Sequence, residues 1–177
     1  MTAKHKIRNM ISLFYSMGGL KPGRTGRRVL MYHSIEDQVD MDPTGQFTVS
    51  LKYFKDHLNE LVKKKERQVI PFEEVSSNQK NTVALTFDDG YKNNLKLAAP
   101  LLIEKGLPFT VFISTRFVKE NHRDFLSPAE LRELAGLPGV TIGAHGVDHC
   151  HLTKLSDKKL NEELVEWLKI YAKEEER

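Results

Sequence analysis

The 177-residue chain holds one cysteine, Cys150, and none of its apolar runs approaches the roughly 20 residues that cross a bilayer. A lone cysteine excludes an intramolecular disulfide and gives no sign of an oxidising compartment, which points to the cytoplasmic side. Also missing are a Gly-x-Ser-x-Gly elbow and the glycine loops Gly-x-Gly-x-x-Gly and Gly-x-x-x-x-Gly-Lys-Ser/Thr. Their absence removes the usual signatures of serine hydrolases and of nucleotide binding. No carboxylate precedes Glu36, so the start of the chain has charge of one sign only.

What is present describes a folded α/β domain. With 40% apolar and 29% charged residues the composition is that of a globular protein rather than a disordered or collagenous one. A chain of this length buries on the order of 70% of its unfolded surface, so it needs no disulfide or structural metal, and any metal site is expected to be functional. The 27 basic and 24 acidic residues leave a net charge of +3, too little to suggest nucleic acid as a partner. Seven of the basic residues lie between Lys4 and Arg28. Residues 1–27 therefore read as a basic arm and linker. Leu13 and Phe14 suit an amphipathic helix whose cations contact an anionic membrane through residues 1–28, and a solvated basic tail is the alternative. Gly18-Gly19-Leu20-Lys21-Pro22-Gly23 is a breaker-rich linker rather than a small-residue cleavage site. The expected location is cytoplasmic or peripheral at the membrane.

From residue 28 onward, apolar runs alternate with helical patterns. Arg28–His33 reads as a strand buried on both faces, followed by a polar loop from Ser34 to Gly45. Ser50 caps a helix with Leu51, Phe54, Leu58, Leu61 and Val62 at helical spacing. Gln68–Phe72, Thr82–Phe87, Phe109–Ile113 and Val140–Ala144 read as further strands, with a helix from Tyr91 to Lys105 between the second and third of these. Ser127-Pro128-Ala129-Glu130 carries a capping box. Ser156 opens a long helix with Leu160, Leu164, Trp167, Leu168 and Tyr171 along one face, expected to be core. Alternation of this kind predicts parallel strands joined by helices, with chemistry at the carboxyl ends of the strands.

Two groups of residues fall at such ends. Thr86-Phe87-Asp88-Asp89-Gly90-Tyr91 runs a strand into two carboxylates, whose side chains alternate in direction so that one can bind a cation while the other faces a substrate. A plain Asp-Gly turn is the competing reading. Gly143-Ala144-His145-Gly146-Val147-Asp148-His149-Cys150-His151 follows another strand, and the spacing predicts His145 and His149 on one face of a helical turn. Two imidazoles and a carboxylate are a ligand set for a catalytic divalent metal with positions left open. Cys150 is a poor fourth ligand because it is bonded directly to His149. His33, Tyr91 and His151 stand as candidates to support these groups from outside, His33 because it leaves the first strand on the same sheet edge.

At Thr86–Tyr91 and His145–His149 the sequence resembles the polysaccharide deacetylases, the NodB-homology family of carbohydrate esterases. The likeness extends to Val29–Ile35, Val69–Phe72, Val111–Ile113 and His151–Ser156, and spans roughly residues 28 to 172. It implies a domain over residues 28–177 with a distorted (β/α) barrel, a metal, commonly zinc, held by Asp89, His145 and His149, and Asp88 as general base. The implied reaction is hydrolysis of acetyl groups from an acetylated glycan, N- or O-linked. Gly146 and Cys150 stand where the family usually has Ser or Thr and often Pro. Family members continue with motifs for the oxyanion site and the general acid, and the chain ends before them. The expected fold is therefore a partial barrel lacking its C-terminal strands, and a non-catalytic remnant that binds metal or glycan at the cell envelope is the alternative to an active enzyme.

Overall fold

The structure is a computed structural model that describes residues 26–36, 40–64, 67–76 and 81–165. Residues 1–25 of the basic arm and linker, and Trp167, Leu168 and Tyr171 of the expected apolar stripe, lie outside the described residues.

A five-stranded parallel sheet forms the frame. It is built from β1 (Arg28–Tyr32), β4 (Gln68–Val69), β5 (Thr82–Phe87), β6 (Phe109–Ile113) and β7 (Val140–Ala144). The order is β1-β5-β6-β7, with β4 joining β5 near its start and β6 joining it at its end. Every residue of β5 is buried, as expected of a parallel strand covered on both faces. A two-stranded parallel sheet of β2 (Ser34–Ile35) and β3 (Thr48–Val49) occupies the region expected to be a polar loop. Asp42 builds that turn: its buried carboxylate accepts hydrogen bonds from the amides of Gln46 and Phe47 and from the hydroxyls of Thr44 and Thr48.

Helix α1 (Leu51–Lys63) starts where Ser50 accepts a hydrogen bond from the Tyr53 amide, a cap worth about 1 kcal/mol. It buries Phe54, Leu58 and Leu61, whereas Val62, expected on the same stripe, is exposed because it falls just off that face. The Tyr32, Phe54 and Phe87 rings pack together with centroids 5.3 to 6.0 Å apart. Burial of each such ring contributes about 1.5–3 kcal/mol. Helix α2 (92–104) contains a π-helical segment, Asn94–Ala98. After β6 come α3 (Thr115–Lys119) and α4 (Pro128–Ala135), the latter with the expected capping box of Ser127 and Glu130.

Three expectations need correction. Strand β1 is not covered on both faces: Tyr32 is buried, but Val29 and Met31 are 43% and 61% exposed, since successive side chains of a strand alternate in direction and theirs is the open side. A cleft of about 510 Å³ runs along this strand, lined among others by Met31, Tyr32, His57 and Leu61. Pro71 and Phe72 are not strand, since the backbone turns at Pro71 into a 3₁₀ turn, Phe72–Glu74. In the final helix, α5 (157–165 as described), Leu164 of the expected core stripe is exposed and Leu160 half-buried, and the side chain buried among residues 157–165 is the carboxylate of Glu163.

Candidate metal and catalytic centre

Parallel strands bring their carboxyl ends to one edge, and the sequence puts polar residues there. His33 follows β1, Asp88 and Asp89 follow β5, Ser114 follows β6 and His145 follows β7. Backbone hydrogen bonds prolong the sheet into these turns: Asp88 donates to the Tyr32 carbonyl at 2.9 Å and His145 to the Ile113 carbonyl at 3.0 Å.

Asp89 is buried with φ of 72°, and Gly90 follows at 80°. A left-handed aspartate is unfavourable on its own, on the order of 1–3 kcal/mol, and persists only where its surroundings fix it. Gly90 is fixed sterically as well, because a Cβ there would sit 2.7 Å from Ile113 Cδ1. The turn aims Asp89 at the loop after β7. Its Oδ1 lies 3.1 Å from His149 Nε2 and 3.4 Å from His145 Nε2. All three ligand atoms are within 4.8 Å of one another, and the imidazole centroids are 5.2 Å apart.

The histidines meet by a different route from the expected helical turn. Residues 145–149 form an irregular loop, with Gly146 at φ 75° and His149 at 51°. Helix α3 grips it from one side, the amides of Thr115 and Arg116 donating to the carbonyls of Gly146 and Val147 at 3.2 and 3.1 Å. Phe117 backs the His149 ring at 6.4 Å between centroids.

This cluster fits a cation. Asp89 Oδ1 is buried and receives no hydrogen bond among the described residues. Unprotonated Nε2 atoms and a carboxylate are all acceptors, so three of them facing one another repel unless a proton or a metal ion sits among them. Two nitrogens and one oxygen suit zinc and similar divalent ions.

Asp88 is half-buried beside the cluster, and burial pushes its carboxyl above the usual range, while the nearby imidazoles of His145 and His33 oppose that rise. Tyr91 is buried against Phe125, and burial, followed by the charges of Asp89, Asp42 and Asp124, pushes its phenol up to about 12. It is thus a neutral wall behind Asp89. The His33 ring packs tilted against Phe47 with centroids 5.0 Å apart, and its carbonyl accepts from Asn94 at 2.7 Å. His151 is exposed and has no place in the three-residue group, and neither has Cys150. A cleft of about 480 Å³ lies against the loop, lined by His145, His149, His151 and Leu152 among others.

Sequence reasoning missed two supports. Asn93 donates to Ser34 Oγ at 2.8 Å and accepts from the Ile35 amide, pinning the turn after β1. Glu163 accepts from the amides of Val147 and Asp148 at 2.6 and 3.0 Å. Burial raises the Glu163 carboxyl, but these two amides and the Cys150 and Asp148 side chains together bring it below its usual value. The signal for Asn93 was its place six residues after Phe87; a lone glutamate in a charged helix gives none.

Comparison with known proteins places the chain by family and fold. The family model for polysaccharide deacetylase matches residues 76–173. A curated protein of Bacillus subtilis (strain 168), YxkH, named for the same family, is 28% identical over 144 residues. That match covers 81% of this chain and 50% of the relative, so the chain spans about half the relative's length. Among solved structures, the Streptococcus pyogenes deacetylase PplD, in complex with acetate, superposes with a TM-score of 0.72 at 22% identity, covering 83% of this chain and 68% of that one. A polysaccharide deacetylase from Bacillus cereus gives 0.69 at 24% identity, covering 84% and 47%. The fold is accordingly part of the family's (β/α) barrel, and the chain belongs to the polysaccharide deacetylase family.

Proposed function

We propose that residues 28–177 form the metal-holding part of a hydrolase that removes acetyl groups from a polysaccharide, with residues 1–27 as a separate basic arm. The observation that carries this reading is the buried Asp89 Oδ1, which receives no hydrogen bond among the described residues and faces two imidazole nitrogens. Asp89, His145 and His149 would hold a divalent cation, with zinc the first choice. When bound, such an ion polarises an acyl carbonyl and lowers the pKa of water.

The chain's own groups supply the rest. Asp88 is adjacent in sequence but not in the ligand group, so its carboxylate remains free to accept the proton of an attacking water. Burial keeps it basic enough to do so. His33 stands near enough to Asp88 for its charge to act on that carboxyl. The acceptor of this chemistry is an N-acetyl or O-acetyl group on a glycan, and the product is acetate with a sugar amine or alcohol.

A second reading, a domain that holds metal without releasing acetate, is favoured by the uncovered face of β1, where Val29 and Met31 lie exposed. One experiment separates the two. The chain loaded with zinc is mixed with N-acetylglucosamine oligomers and acetate is measured. Release that disappears in Asp88→Asn supports the hydrolase; metal uptake without release supports the second reading; and release undiminished in Asp88→Asn overturns the assignment of the base.

A further inference from the structure

Helix α5 raises a physical question that its sequence hides. Across residues 157–165 one side chain is buried, and it is a carboxylate, Glu163, 7% exposed. Burying a charge is unfavourable unless it is well hydrogen-bonded, so the bonds that Glu163 makes are what let its carboxylate stay buried. Those bonds go to the Val147 and Asp148 amides, at 2.6 and 3.0 Å. Both amides lie between His145 and His149.

The loop is thus held from two sides. Its carbonyls at Gly146 and Val147 accept from the amides of α3, and its amides at Val147 and Asp148 donate to Glu163. Gly146 completes the fit, since a Cβ there would lie 2.9 Å from Glu163 Oε2. Directly after the gripped peptides comes His149, in a left-handed conformation that is unfavourable for a histidine and needs outside support.

We infer that Glu163 is a positioning residue: by holding the amides of Val147 and Asp148 it fixes the backbone turn that points His149 at Asp89. This rests on the metal reading of Asp89, His145 and His149. Groups that orient ligands without touching the ion typically change metal affinity by roughly 10- to 100-fold when altered.

The test uses the full chain. Zinc affinity is measured by competition with a chromophoric chelator for the parent, Asp89→Ala, Glu163→Gln and Glu163→Ala, and the visible spectrum of the Co²⁺ form is recorded for each. Melting of each apoprotein controls for folding. The expected result is zinc affinity reduced roughly 10-fold in Glu163→Gln and toward 100-fold in Glu163→Ala, with an altered cobalt spectrum and a cooperative apoprotein melt. A parent that takes up no ion overturns the metal reading itself. Parent-like affinity and spectrum in both Glu163 variants, with Asp89→Ala abolishing uptake, overturns the inference and leaves the metal reading standing. Amide hydrogen exchange on the parent decides the matter without any variant: protection of Val147 and Asp148 comparable to β6 supports the clamp, and exchange at the rate of an open loop overturns it.

Discussion

His149 Nε2 lies 3.1 Å from Asp89 Oδ1, and both residues hold their backbones at positive φ, 51° and 72°. Two side chains from turns far apart in sequence are each presented by a conformation that their own residue type disfavours. Ordinary turns would relax; these two meet at the buried Asp89 Oδ1, which receives no hydrogen bond among the described residues. The proposed function puts a metal ion between them.

The first prediction concerns that ion. The purified parent chain is expected to carry one divalent metal per molecule, and Asp89→Ala to carry almost none. Elemental analysis after dialysis against a weak chelator checks it; equal metal content in the two proteins sinks the assignment of Asp89.

A second follows for Asp88. Because it stands outside the ligand group, Asp88→Asn is expected to keep the parent's metal content. Acetate release should fall by about 100- to 10,000-fold, the usual contribution of a positioned general base. Loss of metal in this variant would reassign Asp88 as a ligand.

The turn behind the acids gives a third. Gly90→Ala places a Cβ 2.7 Å from Ile113 Cδ1 at φ 80°, combining overpacking with left-handed strain. Destabilisation of about 2–4 kcal/mol in urea unfolding is expected. Adding Ile113→Val removes the clashing methyl and should recover part of the loss; no recovery would show that backbone strain alone is responsible.

A fourth concerns pH. Burial raises the Asp42 carboxyl, but the donors Thr48, Gln46, Phe47 and Thr44 together bring it below its usual value. A folded pKa below the unfolded one, about 3.9, stabilises the fold above that pH, and the contribution is lost as pH falls through the folded value. Tm is therefore expected to drop on acidification below about pH 4, and Asp42→Asn to drop less steeply because the substituted group does not titrate. Parallel curves for the two proteins would assign the acid sensitivity elsewhere.

Much of this was legible in the residues. Val83–Phe87 and Phe109–Ile113 are compact apolar runs between breakers, and they are strands because a parallel sheet buries both their faces. Ser127 and Glu130 announce their capping box locally. The pair His145 and His149 was readable, but their spacing suggested a helix where the chain instead bends at Gly146, φ 75°, a left-handed position that glycine takes readily and that the bonds from α3 and Glu163 accompany. Exposure of Val29 and Met31 was invisible, since an apolar run does not state which of its faces a neighbour covers. The β2–β3 pair was hidden for the reverse reason: two residues per strand are too few for any alternation to show.

Strand β5 pairs with β1, β4 and β6, and each pairing joins segments distant in sequence, Arg28 with Val83 for instance. Contacts of that kind carry a loop-closure cost before any burial offsets it, so they form slowly. During that interval the run Val83–Phe87 is bare, and its composition is one that seeks any available strand edge. The turn carrying Asp88 and Asp89 hangs from the end of this same strand, so the site takes shape only once the hub has found its partners. Conditions that slow collapse or crowd nascent chains should therefore cost yield through β5 first, before they touch the chemistry of the finished protein.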